Sequence, residues 1–163
     1  MLQVWLSIGS NIDREKNIHG AVNSLREAFG KLVLSSVYES EAVGFEGDPF
    51  YNMVVGLETN LSARDLVSFF QDIEKRYGRV RGGEGFSSRT LDIDLLLYGD
   101  EVVNDGELEI PRNEITCYAF VLQPLAEVAG EMRHPVDGRT YQELWEAFEQ
   151  GRQRLWPVEF DFS

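Results

Sequence analysis

Apolar runs and helical stripes follow one another along this chain as strand, helix, strand, strand, helix, strand, the split βαβ order of a ferredoxin-like fold. Two further observations extend that prediction. Asn104-Asp105-Gly106 stands between Glu101-Val102-Val103 and Leu108-Glu109-Ile110 and reads as a hairpin turn. Thr140 followed by Glu143 is a capping box that announces a late helix. The expected class is α+β: a ferredoxin-like βαββαβ core with an additional hairpin and C-terminal helices. At 163 residues and 43% hydrophobic, the chain can bury one sizeable core. Residues 1–163 are expected to form a single domain.

Each element has a local reason. Val4-Trp5-Leu6-Ser7-Ile8 reads as a buried strand ending at Gly9-Ser10-Asn11, where Ser10 or Asn11 is placed to cap a helix. Ile18, Val22, Leu25 and Phe29 recur at helical spacing, and Gly30 supplies the stop. Leu32 to Tyr38 is strand-like, Glu39 to Pro49 is a polar loop, and Met53 to Leu57 resumes a strand. Ser62 to Asp65 has the form of a capping box ahead of the stripe Leu66, Phe69, Phe70, Ile73 and Tyr77. Gly78 to Ser88 contains Gly82, Gly83 and Gly85 without apolar periodicity and reads as a loop. Ala119 to Ala129 reads as a helix interrupted near Pro124, and Leu144, Trp145 and Phe148 give a terminal helix.

The net charge of −13 argues against nucleic acid or an anionic membrane as partner. Cys117 is the sole cysteine, which excludes an intramolecular disulfide and a cysteine zinc site and favours a reducing cytosol. Leu2 to Ile8 has no basic lead, and no apolar run approaches membrane-spanning length. A soluble, cytoplasmic protein is expected. His19 and His134 are too few for a histidine-rich centre and are expected to be surface or structural.

Chemistry concentrates at Arg89-Thr90-Leu91-Asp92-Ile93-Asp94. On a strand, Asp92 and Asp94 point to one face and Leu91, Ile93 and Leu95 to the other, with the two Asp Cα atoms roughly 6 to 7 Å apart. Two such carboxylates can share a divalent metal, and their hard oxygens suit magnesium. Lys75, Arg76, Arg79, Arg81 and Arg89 form a basic island immediately before them in an otherwise acidic chain. Metal ligands beside clustered guanidinium groups suit phosphoryl transfer, which asks for positioning and charge stabilisation rather than covalent work by the protein. Gly82-Gly83-Glu84-Gly85 is not a phosphate-binding loop followed by Lys and Ser or Thr, and no Gly-x-Ser-x-Gly elbow exists.

These residues carry a resemblance. Gly9-Ser10-Asn11, Ser36-x-Tyr38 with Gly44, Phe50-x-Asn52, Gly78-Arg79-x-Arg81, Arg89-Thr90-Leu91-Asp92-Ile93-Asp94, Pro111 and Phe120-Val121-Leu122-x-Pro124-Leu125 stand in the order of the signatures of 6-hydroxymethyl-7,8-dihydropterin pyrophosphokinases. The chain resembles that family over roughly residues 1 to 145. The resemblance implies transfer of the β,γ-diphosphate of ATP to the pterin hydroxymethyl oxygen, with release of AMP, in folate biosynthesis. It implies two Mg²⁺ ions on Asp92 and Asp94, and phosphate contacts from Arg79, Arg81 and Arg89, these five forming the catalytic set. Gln71, Glu74, Arg81, Arg89 and Arg112 are implied on the ATP side, although Gln71 and Glu74 read alone are surface residues. Ser40, Val43, Phe50, Asn52, Phe86 and Phe120 are implied around the pterin, with Asn11 close by. A monomer is expected.

The chain also departs from the pattern. Ser40-Glu41-Ala42 replaces a proline-bearing segment, Ser87-Ser88 replaces Gly-Pro, and Gly85 and Glu107 occupy positions where the family often has a basic residue. Arg112 stands where the family usually has His, and Cys117-Tyr118 where it has an arginine. These departures leave two alternatives: a related pyrophosphokinase with a different acceptor, and a non-catalytic paralogue that binds pterin or nucleotide.

Overall fold

The computed structural model describes residues 1–40, 49–77, 91–148 and 154–162. Strand alternation organises everything else. In β1 (Leu2–Ser10), Val4, Leu6 and Ile8 enter one buried cluster while Trp5 enters another on the opposite face. β1 pairs antiparallel with β4 (Phe50–Thr59) on one side and with β5 (Asp92–Tyr98) on the other. β2 (Val33–Leu34) and β3 (Val37–Ser40) pair in turn with β4, and β8 (Leu155–Val158) closes the far edge against β3. The sheet order is β5-β1-β4-β3-β8, and its β5-β1-β4-β3 part is the ferredoxin-like arrangement that the element order predicts.

Two helices cover the first face. α1 (Arg14–Phe29) buries Ile18, Ala21, Val22 and Leu25, and α2 (Ala63–Arg76) buries Leu66, Phe70 and Ile73. Both sets keep the spacing of a single helical stripe, and each fully buried aliphatic or aromatic side chain contributes about 1.5–3 kcal/mol. The Ser62 hydroxyl accepts the Asp65 N–H as an N-cap, and Gly30, at φ 76°, ends α1 by donating to the Arg26 carbonyl.

The second face is covered over part of its length by α3 (Glu114–Cys117), α4 (Ala119–Ala129) and α5 (Tyr141–Ala147), which pack Ile115, Val121, Leu122, Leu125 and Tyr141 around Trp5, Val54, Leu96 and Leu97. Gly56 in β4 lies directly beneath the Trp5 ring, where an added Cβ would come within 2.5 Å of a ring carbon. Gly56→Ala is therefore expected to lower stability in urea unfolding by about 1–3 kcal/mol, the usual cost of overpacking. An unchanged midpoint would refute this contact.

Several local expectations are corrected. Asp13, not Ser10 or Asn11, occupies the N-cap of α1, at φ 46° and without a side-chain cap; Ser10 closes β1, and Asn11 is buried. The segment read as one strand from Leu32 to Tyr38 is two, because Ser35 breaks away to exchange hydrogen bonds with Val54: its N–H donates to the Val54 carbonyl and its Oγ accepts the Val54 N–H. Glu39 and Ser40 belong to β3 rather than to a loop. α4 runs unbroken through Pro124, which is buried along with Leu122 and Leu125, so packing overrides the missing donor.

The chain does not end on a helix. β8 follows, and beyond it Phe160 and Phe162 stack around His19. The predicted hairpin is present as β6 (Val103–Asn104) and β7 (Glu109–Ile110), with Asp105 Oδ1 accepting the Glu107 and Leu108 amides. Among the described residues, no helix is long and apolar enough to cross a membrane.

A β-bulge separates the two ends of β5. Leu6 faces Leu95 and Trp5 faces Leu97, so Leu96 is the extra residue. Leu91, Ile93 and Leu95 join the first cluster, whereas Leu96 and Leu97 both join the second. Alternation ahead of the bulge leaves Asp92 and Asp94 on the second face, past the apolar patch that the later helices cover.

Candidate active site

Register places the candidate residues in rows across that face. Asp92 lies opposite Gly9, Gly9 opposite Asn52, and Asn52 opposite Tyr38; Asp94 lies opposite Ser7. One row therefore runs from a carboxylate through a bare glycine to an amide on three adjacent strands. Gly9 keeps it open, since a Cβ there would stand 2.9 Å from the Asn52 carboxamide oxygen. Asn52 is buried, and its Nδ2 donates to Ser40 Oγ at 2.9 Å, which orients the amide. Phe50, two residues earlier on β4, shares this face half-buried. Phe120, at the start of α4, stacks on Tyr118 with centroids 4.9 Å apart.

Among the described residues, Asp94 is the most perturbed carboxyl. Burial raises its pKa well above the usual carboxylate range, the nearby Asp92 charge raises it further, and Arg112 opposes both. Arg112 Nη2 stands 3.5 Å from Asp94 Oδ1 and 2.9 Å from Glu114 Oε1. The Arg112 amide donates to the Leu96 carbonyl, which pins this residue alongside β5. The Arg112 guanidinium pKa is raised by Asp94 and Glu114 despite its own partial burial.

Glu74 corrects the surface reading. It is 1% exposed beneath β5, and its Oε2 accepts the Ile93 N–H at 2.8 Å. That bond fixes the residue between Asp92 and Asp94. Gln71, one turn earlier on α2, is half-buried. Glu107 pairs with Arg64 at the start of α2. His134 Nδ1 accepts the Val136 and Asp137 amides in a turn, a structural role as expected. Arg79, Arg81, Phe86, Arg89 and Val43 lie outside the described residues, as do Glu41 and Gly85.

Two contributors escaped sequence reasoning. Arg14 Nη1 binds Glu39 at 3.0 Å and the Pro49 carbonyl at 2.9 Å, while its guanidinium lies 3.9 Å from the Tyr51 ring centroid. It thus ties the end of β3 to the start of β4. Glu114 gives Arg112 its shorter ion pair. Both are charged helix-start residues that sequence alone assigns to solvent. A cavity of about 370 Å³ lined by Phe29, Thr59, Leu61 and Phe69 lies at the opposite end of the sheet. The run of β1 puts it about 26 Å from Ser10 at 3.3 Å per residue.

Among the described residues, no group of three or more His, Cys, Asp and Glu side chains could hold a metal ion. The donors on this face are paired carboxylates, and Mg²⁺ is commonly held by one or two carboxylates with water and substrate phosphates completing its shell. The chemistry of the donor set fits that ion.

A ferredoxin-like sheet that presents neighbouring carboxylates and an arginine on the face that carries an oriented amide suits phosphoryl transfer. The model of the 7,8-dihydro-6-hydroxymethylpterin-pyrophosphokinase family matches residues 5–130. The chain belongs to that family, the pyrophosphokinases of folate biosynthesis. It is 36% identical over 149 residues to the 2-amino-4-hydroxy-6-hydroxymethyldihydropteridine pyrophosphokinase of Pseudomonas aeruginosa, covering 87% of this chain and 89% of that one. The enzyme of the same name from Porphyromonas gingivalis is 38% identical over 135 residues, covering 79% and 92%. The fold matches that of a Plasmodium falciparum HPPK-DHPS crystallised with pteroate, with a TM-score of 0.70 at 16% identity, over 90% of this chain and 42% of that longer one.

Proposed function

We propose that the chain transfers the β,γ-diphosphate of ATP to the hydroxymethyl oxygen of 6-hydroxymethyl-7,8-dihydropterin in a Mg²⁺-dependent reaction. The acceptor oxygen bonds to the β-phosphorus, the bond from that phosphorus to the α–β bridging oxygen breaks, and AMP leaves with the bridging oxygen. The observation that carries this reading is the row Asp92, Gly9, Asn52 on adjacent strands. It supports the reading because a carboxylate suited to a metal and an amide suited to a pterin edge share one row.

Asp92 and Asp94 would hold two Mg²⁺ ions, which would supply charge neutralisation of the triphosphate. Glu74 keeps the backbone between them in place. Arg79, Arg81, Arg89 and Arg112 bind phosphate oxygens, and Gln71 faces the nucleotide. Asn52 reads the pterin donor and acceptor edge, Phe50 and Phe120 stack on its ring, and Ser40 orients Asn52. Val43 and Phe86 complete the pterin side. Residues 1–163 act as one domain, as a monomer in the cytoplasm, without nucleic acid or membrane.

An AMP-release assay with hydroxymethyl-dihydropterin tests donor, acceptor and metal together. AMP is expected to form in step with consumption of the pterin and only when Mg²⁺ is present. ADP as the product, or AMP formation undiminished by chelator, would overturn the reading.

A further inference from the structure

We propose that Arg112 is a resident counter-ion for Asp94, which it must release before that carboxylate takes a metal, so that metal and nucleotide load together. This rests on the reading of Asp92 and Asp94 as metal ligands. Three observations lead to it.

The two contacts of Arg112 are unequal. Nε lies 3.0 Å and Nη2 2.9 Å from the same Glu114 oxygen, whereas Nη2 reaches Asp94 only at 3.5 Å. The guanidinium can leave Asp94 without losing Glu114. Its root does not move with it, because the Arg112 amide is bonded to the Leu96 carbonyl at 3.0 Å, two residues along β5 from Asp94. The side chains of Arg112 and Asp94 are 34% and 22% exposed, so the head group has solvent on one side into which to turn.

Charge makes that move conditional. One guanidinium nitrogen, Arg112 Nη2, is shared between the Asp94 and Glu114 carboxylates. A divalent ion held by Asp94 would have to share that carboxylate with the Arg112 guanidinium, putting like charges side by side. In a partly buried setting, repulsion at that range opposes joint occupancy of the carboxylate. Nucleotide phosphates remove the conflict by giving the arginine fork a better acceptor. Each ligand then favours the other by the same factor.

Mn²⁺ affinity of the nucleotide-free chain, read from the electron paramagnetic resonance of free Mn²⁺, tests the first half. Calorimetric affinity for α,β-methylene-ATP at saturating Mn²⁺ tests the second. Arg112→Gln is expected to bind Mn²⁺ about tenfold more tightly without nucleotide and the analogue about tenfold more weakly, since it removes the competing charge and the phosphate ligand together. Arg112→Lys, which keeps the charge, is expected to stay within about threefold of wild type for Mn²⁺. A merely structural defect would weaken both affinities.

Unchanged or weaker Mn²⁺ binding by nucleotide-free Arg112→Gln overturns the proposal. Asp94→Asn separates the layers. If it abolishes Mn²⁺ binding while Arg112→Gln leaves it at the wild-type value, only the counter-ion role falls. If Mn²⁺ binds Asp94→Asn as tightly as wild type, the metal assignment falls and the counter-ion role with it.

Discussion

Asp94→Asn is expected to lower turnover by about 10³-fold or more, the loss of several kcal/mol of metal-supported stabilisation, while making the protein harder to unfold. The second effect has a definite sign. Asp94 has a folded-state pKa above its ordinary value because burial and Asp92 disfavour the anion. The folded chain therefore holds this proton more tightly than the unfolded chain, and its stability falls as pH rises from about 5 to 8. Asn has no proton to lose, and Glu114 still pairs with Arg112. In metal-free buffer the variant should melt higher at about pH 8, by about 2–4 °C per kcal/mol relieved for a chain of this size, and its pH slope should flatten. Differential scanning calorimetry at the two pH values reads both quantities. A lower melting temperature at the alkaline value, or turnover within tenfold of wild type, would refute the assignment.

Asn52→Leu is expected to reduce kcat/KM for the pterin by about 10²–10⁴-fold, because a site built to hydrogen-bond its substrate loses that much when the polar partner is absent. Leu conserves the volume, so the sheet should survive. The variant also leaves the buried Ser40 hydroxyl without its amide partner. Affinity for α,β-methylene-ATP should stay within about twofold, because Asn52 lies two strands away from β5. Equal losses toward both substrates would mean that Asn52 supports the fold rather than reading the pterin.

The sequence exposed those parts of the site whose chemistry and spacing coincide. Asp92 and Asp94 alternate with Ile93 and Leu95, so the carboxylate face follows from period two alone. Phe50 and Asn52 share a face for the same reason. What stayed hidden depends on tertiary contact. Glu74 sits within a stripe that buries Phe70 and Ile73, and its bond to the Ile93 N–H is a contact between elements far apart in the chain. Arg112 reads as a phosphate ligand, and its pairing with Asp94 emerges only when the segment after β7 bonds to Leu96. The strand at Leu155–Val158 is not legible from a segment that holds Pro157; the protein places it at the sheet edge, where a missing donor is tolerated.

The extra residue in β5 has an evolutionary corollary. Because Leu96 resets the phase of the strand, its greasy half and its ionic half can drift independently, each judged by a different neighbour. Excising Leu96 would join Leu95 to Leu97, which already face opposite sides, so the strand would regain plain alternation with Asp92 and Asp94 still outward and only the Leu96 side chain lost from the second cluster. Loss of that one residue should thus be tolerated more readily than loss of Ile93, which would turn Asp92 over.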